Sequence, residues 1–341
     1  MAHAGLRSLT VHSPTAPAAS AGWKGELARW GFKVPPELVR SARPAVARRF
    51  VEFFACRIRN RNTRLAYAHA VARFLDEVAA RGVRDLTRIR STMVAAYVER
   101  LEKELAAPTV KQHLAAIRML FEWLVITGAL IRNPAASVRG PKLVVKRGKT
   151  PVLSAGQARQ LLDSIDTSTV VGLRDRAIIA LMLYGFARVG AVVGMKVEDC
   201  YTDGSGWWFR LHEKGGKRHV VPAHHTAKAY VDTYLEAADI GDDVRGPLFR
   251  ATRGRSKTLT PGPLTRSDVL RMVKRRARTA GLPSTVSCHA FRATAITVYL
   301  ASGGSIEHAQ AFAAHESART TRLYDRRNDK LNPEEIERIA I

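Results

Sequence analysis

The chain has 341 residues, 46% of them hydrophobic, with 55 Lys and Arg against 30 Asp and Glu and a formal net charge of +25. Such a balance calls for a polyanionic partner, while the apolar share excludes a disordered basic tail and the length allows two domains of ~100 to 200 residues each. No run reaches the ~18 apolar residues of a membrane span, the N-terminus has no signal-peptide pattern, and Cys56, Cys200 and Cys288 are too scattered for a disulfide framework or zinc finger, so we expect a cytoplasmic protein with reduced thiols.

Residues 1–43, rich in Ala, Ser, Pro and Gly around Trp23 and Trp30, predict a loosely ordered arm. From Pro44 the pattern becomes helical. Val46, Phe50, Phe53 and Phe54 mark a first amphipathic stretch, and Asn62 and Thr63 can cap a second, through Tyr67, Val71, Phe74, Leu75 and Val78 to Gly82. Ser91 opens a third with Val94, Tyr97, Val98, Leu101 and Leu105. Pro108 and Thr109 open a fourth, with Leu114, Ile117, Phe121 and Leu124 before Gly128. Helices this close in sequence predict a compact bundle over 44–137.

The segment 138–150 is a basic linker carrying Arg139, Lys142, Lys146, Arg147 and Lys149 and no acid. A charge run is usually a solvated connector; the global charge favours a strap laid along a phosphate backbone. The second domain, 151–328, opens with Ser154 and Gln157 as a capping box, followed by an apolar helix expected over 173–188 that ends on Arg188. WWFRLHEK and KRHVVPA flank Gly215 and Gly216, a hairpin signal that places Lys214 at the end of a strand. Helices are expected over about 226–238 and 265–280, then from near His289 and near Ile306. The fold class is mainly α with a small antiparallel sheet.

In chain order the second domain presents Arg188, Lys214 in KGGK, His289 and Arg292 as HAFR, His315, and Tyr324. Singly, each has an ordinary structural explanation: a solvated helix-end arginine, an exposed turn lysine, a capping histidine, a packed tyrosine. The ordered set resembles the tyrosine recombinases, the phage integrase family, from about residue 44 onward. NTRLAYAHAVARFL and TVKQHLAAIRMLFEWLVITGALIRNPA resemble their core-binding domain and 151–328 their catalytic domain. The chain departs from the family pattern at Ala191, where Glu or Asp is common and can brace the site, at GFAR for Gly-Leu-Arg, and at Ala314, where Gly usually precedes the histidine.

The resemblance implies a C-shaped clamp on double-stranded DNA and a site-specific recombinase that forms a 3′-phosphotyrosine through Tyr324. Guanidiniums suit the charge that builds on the phosphate oxygens, because their planar forks donate bidentately and stay charged. Arg188 and Arg292 would fill that role, Lys214 would protonate the leaving 5′ oxygen, and His289 and His315 would assist proton transfer. No cofactor and no metal are expected, and His212, His219, His224 and His225 read as surface residues, since they lack cysteine or acidic neighbours at ligand spacing. Arg253, Arg255, Lys257, Lys274 and Arg275, in a stretch whose only acid is Asp268, join the linker residues as expected DNA contacts. The tail 329–341 reads as a helix docking on a neighbouring protomer of a homotetramer on two DNA sites. A regulator that kept the fold and lost catalysis, a telomere resolvase and a type IB topoisomerase-like enzyme are the other readings open at this level.

Overall fold

A computed structural model of the chain describes residues 25, 27, 28, 30–32, 34–143, 148, 150–213, 216–254, 256 and 258–325. Lys146, Arg147, Lys149, Lys214, Arg255, Lys257 and the tail 329–341 lie outside these residues, as does most of the expected arm. The chain divides into two compact units, residues 1–144 and 145–341.

The first unit is helical: α1 (Glu37–Arg40), α2 (Pro44–Glu52), α3 (Arg61–Ala80), α4 (Ser91–Glu104) and α5 (Ala107–Ile126). Helix α2 runs on into a π turn, Phe53–Arg57, and the adjacent rings of Phe53 and Phe54 both reach the core, 4.8 Å apart and edge to face. Phe32, Phe50 and Phe54 form a second ring cluster with centroids 5.0–5.5 Å apart. Each such burial is worth ~1.5–3 kcal/mol, so the phenylalanines of this stretch fix the path of α2 across the bundle. Helix α3 starts earlier than expected: Asn60, not Asn62 or Thr63, is the cap, and its side-chain oxygen accepts from the amides of those two residues. Gly82 and Gly128, at φ +86° and +72°, end α3 and α5 as expected.

In the second unit, the Ser154–Gln157 capping box starts α6 (Ala155–Asp163). Helix α7 (Val170–Tyr184) is buried on nearly every side and packs against α9 (His225–Ala238) and α11 (Cys288–Ala301). Two charges lie inside it, Arg174 and Asp175. Asp175 accepts from Arg174 at 2.9 Å, Arg275 at 3.3 Å and Arg276 at 2.8 Å, so the carboxylate fastens α7 to α10 (Arg266–Thr279). Helix α7 stops at Tyr184 and not at Arg188, because the chain turns at Gly185 and Phe186. Arg188 becomes the first residue of a new element, at the N-cap position of the single turn α8 (Val189–Val192).

Strands β1 (Cys200–Thr202), β2 (Trp207–His212) and β3 (Arg218–Pro222) form an antiparallel sheet in that order, with His212 opposite Arg218 across the expected hairpin. Strand β2 ends at His212, short of Lys214. A separate ribbon of β4 (Arg250–Thr252) and β5 (Leu259–Pro263), which the sequence pattern did not suggest, leads into α10 through a Thr265–Asp268 capping box. After α11 come α12 (Ile306–Phe312) and α13 (Ala318–Arg322). Among the described residues no helix is long and apolar enough to cross a membrane.

Candidate active site

Five of the six expected catalytic residues converge in the second unit; Lys214 is outside the described residues. Arg292 is nearest the centre, on the buried face of α11 and 1% exposed. Its two terminal nitrogens donate to the main-chain carbonyls of Phe186 and Ala313, while Nε has no partner. A guanidinium has five N–H donors, so protons remain for an anion. Burial, then the nearby charge of Arg188, lowers its pKa to about 10, and the Glu213 carboxylate opposes this. The group is still a cation at neutral pH.

Arg188 is half-buried and its Nη1 donates to Oε2 of Glu213 at 2.5 Å. Tyr324, only 8% exposed, follows α13, where its amide donates to Thr321 and its carbonyl accepts from Thr297 Oγ1 at 3.1 Å. Its Oη lies 3.0 Å from Nε2 of His289, and its ring stacks on His315 at 16° and 6.1 Å. His289 stands on the first turn of α11. Partial burial of its ring, and then the charges of Arg292 and Arg188, hold its imidazole below the ordinary histidine range. The same causes in the same order, with His289 added, bring His315 to about 4. Both imidazoles are therefore neutral at pH 7. In the tautomer that leaves Nε2 of His289 unprotonated the phenol donates to it, an arrangement suited to proton removal from a hydroxyl.

The supporting residues were not legible in the sequence. Thr321 Oγ1 meets Nδ1 of His315 at 2.9 Å, and Gln310 donates to the His315 main-chain carbonyl, so that both the ring and the backbone of this residue are held. His219 Nε2 contacts the Phe312 carbonyl at 3.0 Å and Lys217 meets Glu316 at 3.0 Å, pinning the β2–β3 hairpin to the loop that carries His315. His219 and His212 are thus half-buried structural contacts and not plain surface residues, His212 being held by Asp199 at 2.8 Å. His224 and His225 are exposed and stacked, with His224 capping α9. Among the described residues no His, Cys, Asp and Glu cluster could hold a metal.

Of the expected DNA contacts, Arg139, Lys142, Arg253 and Arg275 are exposed. Arg275 also touches Asp175, and Lys274 is half-buried, its ammonium donating to the Ser284 carbonyl. Both therefore also tie α10 to its own unit.

With this geometry in hand, comparison with known proteins settles the lineage. The model described as Phage integrase family matches residues 151–330, and that described as Phage integrase, N-terminal SAM-like domain matches residues 48–128. The chain belongs to the phage integrase family. Curated tyrosine recombinases of that family cover most of it. Tyrosine recombinase XerD of Corynebacterium glutamicum is 29% identical over 274 residues, 77% of this chain and 86% of that protein. Tyrosine recombinase XerC of Chlamydia pneumoniae is 30% identical over 241 residues, 70% and 74% respectively. Among solved structures, XerH site-specific recombinase bound to difH superposes with a TM-score of 0.64 at 17% identity, covering 90% of this chain and 96% of that one. A lambda integrase dimer bound to a COC′ core site gives 0.61 at 20% identity, covering 84% and 97%. These two show a shared fold: a mainly helical chain with a SAM-like unit followed by the catalytic unit.

Proposed function

We infer that this phage integrase family member is a site-specific DNA recombinase that cuts and rejoins strands through Tyr324. The observation that carries this reading is the buried phenol: its hydroxyl is in contact with a neutral imidazole and close enough to the Arg292 guanidinium to bear on its charge. In the proposed step, Oη attacks the scissile phosphorus as its proton passes toward His289. The bond to the 5′ oxygen breaks, Lys214 supplies that oxygen's proton, and a 3′-phosphotyrosine remains. Arg188 and Arg292 balance the charge that builds on the nonbridging oxygens. A second strand's 5′ hydroxyl reverses the step, so the phosphodiester energy is kept in the covalent bond. The relatives' names and the DNA in the solved neighbours support this reading. So do the exposed Arg139, Lys142 and Arg253, offered here as phosphate contacts along with Lys146, Arg147, Lys149, Arg255 and Lys257. A homotetramer on two sites, in a cytoplasmic protein attached to the nucleoid, completes the proposal, with the tail 329–341 docking on a neighbour; a lambda integrase tetramer bound to a Holliday junction is the supporting precedent for the assembly.

The test is covalent trapping on a random-sequence library of nicked duplexes, from which the nick lets the cleaved end diffuse away. The wild-type chain is expected to become joined to a 3′ phosphate with EDTA present, and Tyr324→Phe to bind DNA and trap nothing. Tyr299→Phe is the control: its ring packs on Phe186 and Phe312 at 5.9 and 5.7 Å, so it should still trap. An adduct surviving Tyr324→Phe, or a DNA-linked peptide outside residues 313–327, would overturn the assignment.

A further inference from the structure

The family pattern places an acid in the turn after the first arginine, and here that position is Ala191, 2% exposed and closed into the turn by the hydrogen bond its N–H donates to the Arg188 carbonyl. No carboxylate can come from there. One arrives from a different element. Glu213 follows the last residue of β2, its side chain is 6% exposed, and it meets Arg188 at 2.5 Å. A buried carboxylate is tolerated only when paired, and the Arg188 contact is the one hydrogen bond its side chain makes among the described residues.

We propose that Glu213 is the positioning residue of this site, holding Arg188 in the phosphate-binding orientation in place of the acid missing at position 191. Three features make the pair more than a local brace. The Glu213 amide donates to the Lys217 carbonyl at 2.8 Å and so closes the base of the hairpin that carries Lys214. The same hairpin is fastened to the loop bearing His315 through His219 and Lys217. The ion pair therefore links Arg188 at the start of α8, the base of the β2–β3 hairpin and the His315 loop into one unit. Finally, Arg188 and Arg292 repel one another before any phosphate arrives, and the carboxylate offsets that repulsion.

The proposal rests on the recombinase reading, and its test separates the two. The probe is the nicked duplex that the wild-type chain traps most readily from the random library; a wild-type chain that traps nothing overturns both readings. With that duplex, Glu213→Gln, which keeps shape and removes charge, should lower the single-turnover cleavage rate by about 10- to 100-fold, the range seen when a supporting partner is removed. Its affinity for the duplex should change less than about threefold, because a buried carboxylate is itself no ligand for phosphate. Glu213→Asp should recover part of the rate. Combined with Arg188→Lys, the Gln substitution should add little to the loss caused by Lys alone, since both act on one interaction. Wild-type cleavage by Glu213→Gln, or fully multiplicative losses in the double variant, would overturn the proposal. So would faster cleavage and tighter binding, which would mean that the carboxylate competes with phosphate for the arginines. Should Glu213→Gln fail to fold, Glu213→Asp carries the test: a wild-type cleavage rate, or a loss fully multiplicative with Arg188→Lys, sinks it.

Discussion

Phe186 and Ala314, two non-glycine residues in left-handed backbone conformations at φ 52° and 43°, stand on either side of the Arg292 guanidinium. The carbonyl of the first, and the carbonyl that precedes the second, are the two that receive it. Left-handed turns at these points aim the oxygens inward, and an L side chain there costs ~1–2 kcal/mol. At Phe186 the ring repays this by packing on Tyr299 and Phe312. A methyl group at Ala314 cannot.

Ala314→Gly should therefore stabilise the catalytic unit by ~1 kcal/mol, raising its melting temperature by ~2–4 °C, with cleavage preserved. Calorimetry checks it. A lower melting temperature would show that the turn carries no strain.

With His289 as the group that takes the Tyr324 proton, its neutral state should set the pH response of cleavage. Its folded pKa is lowered by burial and then by the charges of Arg292 and Arg188, so the proton-accepting form predominates at neutral pH and is lost as pH falls through the lowered value. The single-turnover rate should stay flat from pH 8 to about 7 and decline only below the ordinary histidine range, and His289→Gln should lose ~10²- to 10⁴-fold. A decline already complete at pH 6.5 would contradict the assignment.

Asp175 holds three arginines from inside the core, and removing it takes from Arg174, 4% exposed, the carboxylate it is paired with. Asp175→Asn should cost ~3–5 kcal/mol in urea unfolding. Arg275→Ala, at the exposed end of the same network, should cost ~1 kcal/mol or less. Equal losses would mean that the cluster does not depend on the buried carboxylate.

If several arginines and lysines neutralise DNA phosphates, affinity for duplex DNA should fall by ~10³ or more between about 50 and 200 mM salt. Filter binding across that range decides it. A flat response would leave the basic linker and the β4–β5 ribbon without the role proposed for them.

The sequence by itself determined the helical periods of both units, the β2–β3 hairpin and the capping box at Ser154, because apolar spacing, caps and turn glycines act over a few neighbouring positions. It also carried the family, since a set of reactive side chains in a fixed order survives large changes elsewhere. Tertiary structure decided the rest. That α7 breaks at Gly185 and makes Arg188 a new beginning depends on a turn held open by Arg292, more than a hundred positions away in sequence. That His219 is a structural contact follows from the Phe312 carbonyl lying against its strand. The buried pairing of Glu213 with Arg188, which answers the missing acid at Ala191, exists only because β2 ends beside α8. Burial and the pairing of charges depend on which distant segments meet, and no local pattern records that.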